Sequence, residues 1–201
     1  MSSRTERLDS GTLLTALGSG AGLSALSRVT AVVFVTLLTI VAAQVSIPLP
    51  FTPVPFTLQP MIVLLGAAAL GPRLGVSAQI TYLALGIAGM PVFAASPALP
   101  QGIARLLGPT GGYLMSYPLA AFVTGYLAER GLDRRYLTSV LAMGAGLAIV
   151  FSCGVLWLAF GVPHVGLSAA VAAGLVPFLP ADIIKVFLAA TVLPATWKLL
   201  R

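Results

Sequence analysis

Six apolar runs dominate this chain, and their lengths approach what a lipid bilayer demands. A helix needs about 20 mostly apolar residues to cross the hydrocarbon core, with a range of about 17–25. The runs cover about residues 29–45, 58–70, 74–89, 110–128, 137–160 and 180–200. The second and third are short, and only Gly71-Pro72-Arg73 parts them, a turn signal that splits one long run into two. Local bilayer thinning, or packing against longer neighbours, accommodates short spans of this kind. Charged residues make up 8% of the chain, where soluble domains carry about 25%. The expected class is therefore an all-α integral membrane protein, a six-transmembrane-helix bundle. At 201 residues it leaves no room for an additional soluble domain.

The basic residues orient the bundle. Arg4, Arg7 and Arg28 precede the first run, and Arg73 sits between the second and third. Arg130, Arg134 and Arg135 follow the fourth, and Lys198 and Arg201 end the chain. All nine fall on one side of a six-helix zigzag, whereas Arg105 alone falls on the other. The positive-inside rule then makes both termini cytoplasmic. On this division residues 1–27 form a cytoplasmic N-terminal tail with at most one weak surface helix, and residues 28–201 form the membrane domain. The net charge of +6 thus reports topology. Its basic residues are scattered, without the aromatic interleaving of a nucleic-acid surface, so no nucleic-acid partner is expected. Val41-Ala42-Ala43 looks like a signal-cleavage site. The segment before it is long and mixed in charge, which favours retention as the first helix. The single Cys153 cannot form an internal disulfide, and no internal repeat supports an inverted-repeat transporter.

The segments on the arginine-poor side differ from the others. Residues 44–60 hold five prolines and no charge, and residues 90–108 add three prolines and Arg105. Proline fixes φ and removes a donor, so these segments are stiff. Irregular backbone at this depth is tolerated only where protein or a cavity covers it. They read either as tight connectors or as rigid lids over a pocket, and the lids are favoured. Gly108-Pro109-Thr110-Gly111-Gly112-Tyr113 opens the fourth run. Pro109 suits a first helical turn, and Gly108 or Thr110 could cap it. Its glycines admit another helix or a ligand, and a helix N-terminus preceded by Arg105 favours an anion.

Asp182 and Lys185 are the only charged residues between Tyr136 and Trp197. A charge near the centre of a membrane helix costs about 2.5–3.5 kcal/mol on insertion scales. Pro177 and Pro180 mark the start of the last run, which puts Asp182 in a first turn, where the helix dipole suits it. Lys185 opposes that dipole. The two either neutralise each other or hold something polar, and the functional default for intramembrane ionisable groups favours the second reading. Catalysis has little support. The lone His164 falls in a short outer loop, and no Cys/His/Asp/Glu cluster offers metal ligands. There is no Gly-x-Ser-x-Gly elbow and no Gly-x-x-x-x-Gly-Lys-Ser/Thr loop. Neither metal nor cofactor is expected, and no ATPase activity of its own.

Val54-Pro55-Phe56-Thr57-Leu58-Gln59, Leu70-Gly71-Pro72-Arg73-Leu74-Gly75, Gly89-Met90-Pro91-Val92-Phe93, the Gly108–Tyr113 run and the Asp182…Lys185 pair occur in that order. As an ordered set over about residues 26–200 they resemble the BioY family, the biotin-binding S component of energy-coupling-factor (ECF) transporters. The resemblance implies a protein of the bacterial cytoplasmic membrane that captures biotin in an outward-facing pocket, closed by the first and third external loops. It implies partners: a transmembrane coupling protein and two cytoplasmic ABC-type ATPases that drive release inward. In related S components, small residues four apart on the first helix contact the coupling protein. Ser27 and Ala31 hold that place here, with Ser for the usual Ala, and Ala21 and Ala25 repeat the spacing earlier.

Biotin carries a carboxylate, an apolar body and a ureido head, so it needs an apolar slot with a few convergent polar groups. Lys185 suits the carboxylate or the ureido oxygen, and Asp182 a ureido N–H. Gln59, Tyr113 and Arg105 are the candidates for further hydrogen bonds, and Phe56, Phe93 and Tyr82 for the walls. Gln79 reads as pocket lining or interhelical glue, and Trp157 as packing. Two alternatives stand beside biotin capture. One is an S component for another small vitamin. The other is a non-transporting scaffold or intramembrane enzyme in which Asp182 and Lys185 merely pair.

Overall fold

The computed structural model describes residues 11–17, 24–96 and 100–200. Arg4, Arg7, Ala21 and Arg201, used above for orientation and coupling, lie outside the described residues, as does most of the 1–27 tail. Helix α1 (Leu13–Leu17) is followed by α2 (Ala25–Gln44), α3 (Gln59–Leu70), α4 (Pro72–Ile87), α5 (Ile103–Leu107) and α6 (Gly111–Leu127). Then come α7 (Tyr136–Leu156), α8 (Gly166–Gly174) and α9 (Leu179–Leu200). A π turn, Ala128–Leu132, extends α6, and another, Trp157–Gly161, extends α7. All six apolar runs are helical. Three of them are long and apolar enough to cross a membrane: α2, α7 with its π turn, and α9.

Local sequence explains the boundaries. Ser24 caps α2, its hydroxyl accepting from the Ser27 N–H at 3.1 Å. Gly71 ends α3 at φ +84°, a left-handed conformation that glycine adopts without strain, and Pro72 begins α4 with its φ already set. Gly125 of α6 packs onto that corner so closely that a Cβ there would lie 2.6 Å from the Gly71 carbonyl carbon. Residues 46–57 depart from an all-helical reading. Ser46–Ile47 (β1) pairs antiparallel with Phe56–Thr57 (β2), and the prolines between them stop the ladder from growing.

The shortest of the six long helices is the central one. Helix α3 touches α1, α2, α4, α6, α7 and α9, and Val63, Leu64 and Ala67 are wholly buried. A helix surrounded by others is apolar on every side, as α3 is from Met61 to Leu70. At 1.5 Å per residue its 12 residues span about 18 Å, short of the bilayer core. Protein, not lipid, covers its ends. Around it run α2, α4, α6, α7 and α9, with α2 and α9 set apart. That gap is an apolar groove of about 350 Å³ along α3, lined also by Leu13 and Leu14 of α1.

The bundle has two unlike ends. One gathers α1, the Gly71 corner, the α6–α7 turn and the end of α9, where the Trp197 indole donates to Asp133 at 2.7 Å. The other gathers the proline-rich segments with α5 and α8. There Thr52 donates to the Ala173 carbonyl at 2.7 Å and Trp157 to the Gly108 carbonyl at 2.9 Å. Residues 162–178 are not a plain loop, since α8 lies within them. The 90–108 segment likewise holds α5.

Candidate functional site

Asp182 sits in the first turn of α9 and Lys185 one turn on, and both are buried. The ammonium donates to the Asp182 carboxylate at 2.6 Å and to the Thr57 carbonyl at 2.6 Å. It also lies 3.6 Å from the centroid of the Phe56 ring, a cation–π contact whose value rises as water is excluded. Three kinds of partner therefore hold one lysine, and two of them come from β2 of the proline-rich segment. Neither group faces lipid. The pair lines a cavity of about 50 Å³ together with Val54, Pro55, Tyr113 and Phe178.

A second cavity of about 40 Å³ adjoins the first, lined by Gln59, Phe93, Arg105, Thr110 and Leu114 among others. Val54, Pro55, Thr57 and Tyr113 border both cavities. Tyr113 donates to the Gly174 carbonyl at 2.8 Å, which ties α6 to the end of α8. Glycine at 174 and at 154 leaves room for its ring and hydroxyl. Arg105 is buried, donating to the Ala94 carbonyl at 2.7 Å and the Pro100 carbonyl at 2.8 Å, so it braces the 90–108 segment. Burial pushes its guanidinium down from the usual value, with Tyr82 acting the other way. So high a starting value still leaves the charge in place.

Four of the sequence-chosen residues line the second cavity: Gln59, Tyr113, Arg105 and Phe93. Asp182, Lys185 and again Tyr113 line the first. Phe56 lies beneath Lys185 and stacks on Phe178, ring centroids 6.4 Å apart. Tyr82 stands one layer behind. Its hydroxyl accepts from the Gln59 amide at 2.6 Å and donates to the Val92 carbonyl at 3.3 Å, and Phe93 meets its ring edge-on at 5.6 Å. Gln79 borders neither cavity; it is fully buried on α4, its amide without a hydrogen-bond partner among the described residues. Thr110 sits at the α6 cap position without capping, and its hydroxyl is buried. His164 stands outside both cavities at φ +64°.

Thr57, Val54 and Pro55 belong to the 54–59 run that carries the family resemblance but were not chosen as site residues, and Phe178 was not singled out at all. Thr57 acts through its backbone carbonyl, for which a one-letter code gives no signal. Ser27 lies at the exposed first turn of α2, its hydroxyl 2.8 Å from that of Ser24, and Ala31 borders the α2–α9 groove. That groove is larger than either polar cavity, yet its lining is wholly apolar. It has nothing to orient a ureido group or a carboxylate.

The BioY family model matches residues 13–201. The chain is 44% identical over 158 residues to the biotin transporter BioY of Thermotoga maritima, which covers 78% of this chain and 88% of that protein. It is 43% identical over 148 residues to a probable biotin transporter BioY of Pyrococcus horikoshii, covering 74% of this chain and 82% of the other. The fold is similar to a crystal structure of the S-component for biotin from an ECF-type ABC transporter. That similarity has a TM-score of 0.77 at 28% identity and covers 86% of this chain and 92% of that one.

Proposed function

The chain belongs to the BioY family, and from that premise we propose that it captures biotin beneath the 45–58 segment for uptake, as the S component of an ECF-type transporter. It is a multi-pass protein of the bacterial cytoplasmic membrane. All six long helices cross it, the shortest, α3, enclosed by the other five, and both termini are cytoplasmic. The arginine-bearing end faces inward by the positive-inside rule.

One observation carries this reading. A buried acid and amine line a cavity whose lid is the same segment that completes the lysine's bonding. Cavities of about 50 and 40 Å³ hold a water or two, far below the roughly 300–1,000 Å³ of a small-molecule site. The wall between them includes Val54, Pro55 and Thr57. Lifting that wall merges the two into one slot with Asp182 and Lys185 at one end, Gln59 and Arg105 at the other, and Tyr113 along both. Lys185 then exchanges the Thr57 carbonyl for an oxygen of biotin, while Asp182 accepts a ureido N–H. Phe56 and Phe93 wall the apolar body, and Tyr82 positions Gln59. The inward step draws on a transmembrane coupling protein and two ABC-type ATPases, with Ser27 and Ala31 on α2 as the coupling contact.

Equilibrium binding of labelled biotin to the purified full chain tests the proposal. The expected result is saturable binding that unlabelled biotin displaces and other vitamins do not. Absence of saturable binding overturns it. Stronger displacement by another vitamin keeps the S-component reading and changes the cargo.

A further inference from the structure

The α6–α7 turn frames a polar cavity of about 370 Å³ lined by Arg130, Gly131, Leu132, Arg134, Arg135 and Thr138. We propose that this cavity binds the phosphate of an anionic phospholipid, whose acyl chains run along the outer faces of α6 and α7.

The turn is built to hold its shape. Gly131 takes φ +88°, the Ser139 hydroxyl donates to the Leu132 carbonyl at 3.4 Å, and the Trp197 indole anchors Asp133. Arg134 is stacked over Trp197, its guanidinium carbon 5.0 Å from the ring centroid. Arg130 and Arg135 are exposed. Arg135 opens α7 in an extended conformation without a side-chain cap, so no capping side chain takes up the first-turn amides of this 21-residue helix. Guanidinium forks match phosphate oxygens in pairs. Two carboxylates lie nearby: Glu129, exposed beside Arg130, and buried Asp133. Three arginines against two acids leave the cavity net positive.

An apolar track leads away from the cavity. The Arg130 guanidinium lies 4.2 Å from the Tyr126 ring centroid, and Tyr126 stacks on Phe122 at 6.0 Å. These three residues, four apart along α6, are all exposed. On α7, Leu137 and Leu141 are 73% and 67% exposed and flank Thr138. A free phosphate has no use for this track, whereas a phospholipid uses both parts.

Native mass spectrometry of the detergent-purified full chain supplies the test, counting retained phosphatidylglycerol against phosphatidylcholine. We expect phosphatidylglycerol to be preferred, and Arg130→Gln with Arg135→Gln to lower its retention about 25-fold, roughly fivefold per arginine. Arg73→Gln, at the neighbouring corner, leaves retention unchanged. The proposal fails if the double variant retains the lipid as the parent does, or if Arg73→Gln matches its loss. It fails too if inorganic phosphate at equal concentration displaces the lipid, which makes free phosphate the ligand. Should the double variant not fold, the parent protein still decides, since lack of preference between the two lipids overturns the assignment. Biotin takes no part in these measurements, so their failure leaves the uptake reading untouched.

Discussion

The two ends of this bundle treat charge in opposite ways. At the proline-rich end Asp182, Lys185 and Arg105 are buried, and carboxylate or carbonyl oxygens sit within hydrogen-bond reach of each cation. At the arginine-bearing end Arg73, Arg130 and Arg135 are exposed, the last two around an open cavity. A desolvated charge must be satisfied by partners in fixed directions, and so it discriminates among ligands. A charge left in water and headgroups attracts anions over a Debye length and discriminates weakly. One end is suited to recognition, the other to orientation and anchoring.

Removing one member of the buried pair breaks this contrast most forcefully. Lys185→Ala strands the Asp182 carboxylate and the Thr57 carbonyl, a loss of about 3–5 kcal/mol in stability. Biotin affinity falls about tenfold to a hundredfold, since a charged hydrogen bond of about 1.5–3 kcal/mol is lost. Radioligand binding on protein that still inserts and purifies measures the second effect apart from the first. Asp182→Leu with Lys185→Met sharpens the point. Apolar replacement of a whole buried pair is neutral or stabilising by about 1–4 kcal/mol, so the thermal midpoint holds while binding is lost. Retained binding in that double variant makes the pair a structural one, and the contrast between the ends disappears.

Packing gives the next effects. Gly125→Ala at the arginine-bearing end drives a Cβ to 2.6 Å from the Gly71 carbonyl carbon and the Pro72 nitrogen, backbone atoms that cannot yield. Overpacking of this kind costs about 1–3 kcal/mol, read as a lower thermal midpoint with biotin affinity unchanged. Tyr113→Phe at the other end loses the bond to the Gly174 carbonyl. It costs about 0.5–1.5 kcal/mol, and because Tyr113 borders both cavities, affinity falls with it.

These residues also show what could be read before any coordinates. Gly71-Pro72 parted α3 from α4 in the sequence because glycine tolerates the positive φ of a helix end and proline fixes the φ of a helix start. Asp182 and Lys185 stood out because a charge in an apolar run has few harmless explanations. Helix α8 escaped notice because its GLSAAVAAG, between Pro163 and Pro177, is too short for a span and too apolar for a loop. The Thr57 carbonyl was illegible because every residue has one. Tyr82 and Phe93 were chosen together as walls. Only the fold could place Phe93 on the cavity and Tyr82 behind Gln59, since that depends on which turn of α4 faces α3.

Asp133 is the exception at the arginine-bearing end, a charge buried as deeply as those at the other. Its residue is 1% exposed, one carboxylate oxygen accepts from Trp197, and the other has no hydrogen-bond partner among the described residues. Burial pushes its pKa up, and the Trp197 hydrogen bond and nearby Arg134 only partly pull it back. A carboxyl raised in the folded state binds more protons folded than unfolded between the two values. Stability from this group therefore falls as pH rises through that window, which begins near the ordinary carboxylate value of about 4. Asp133→Asn keeps an acceptor for the indole and cannot ionise. The variant is expected to equal or exceed the parent in thermal midpoint at neutral pH, and to lose that margin on acidification. Parallel midpoint-against-pH curves would show that Arg134 and Trp197 fully offset the burial of this carboxylate, so that charge is satisfied by partners at both ends and differs only in how many charges are buried.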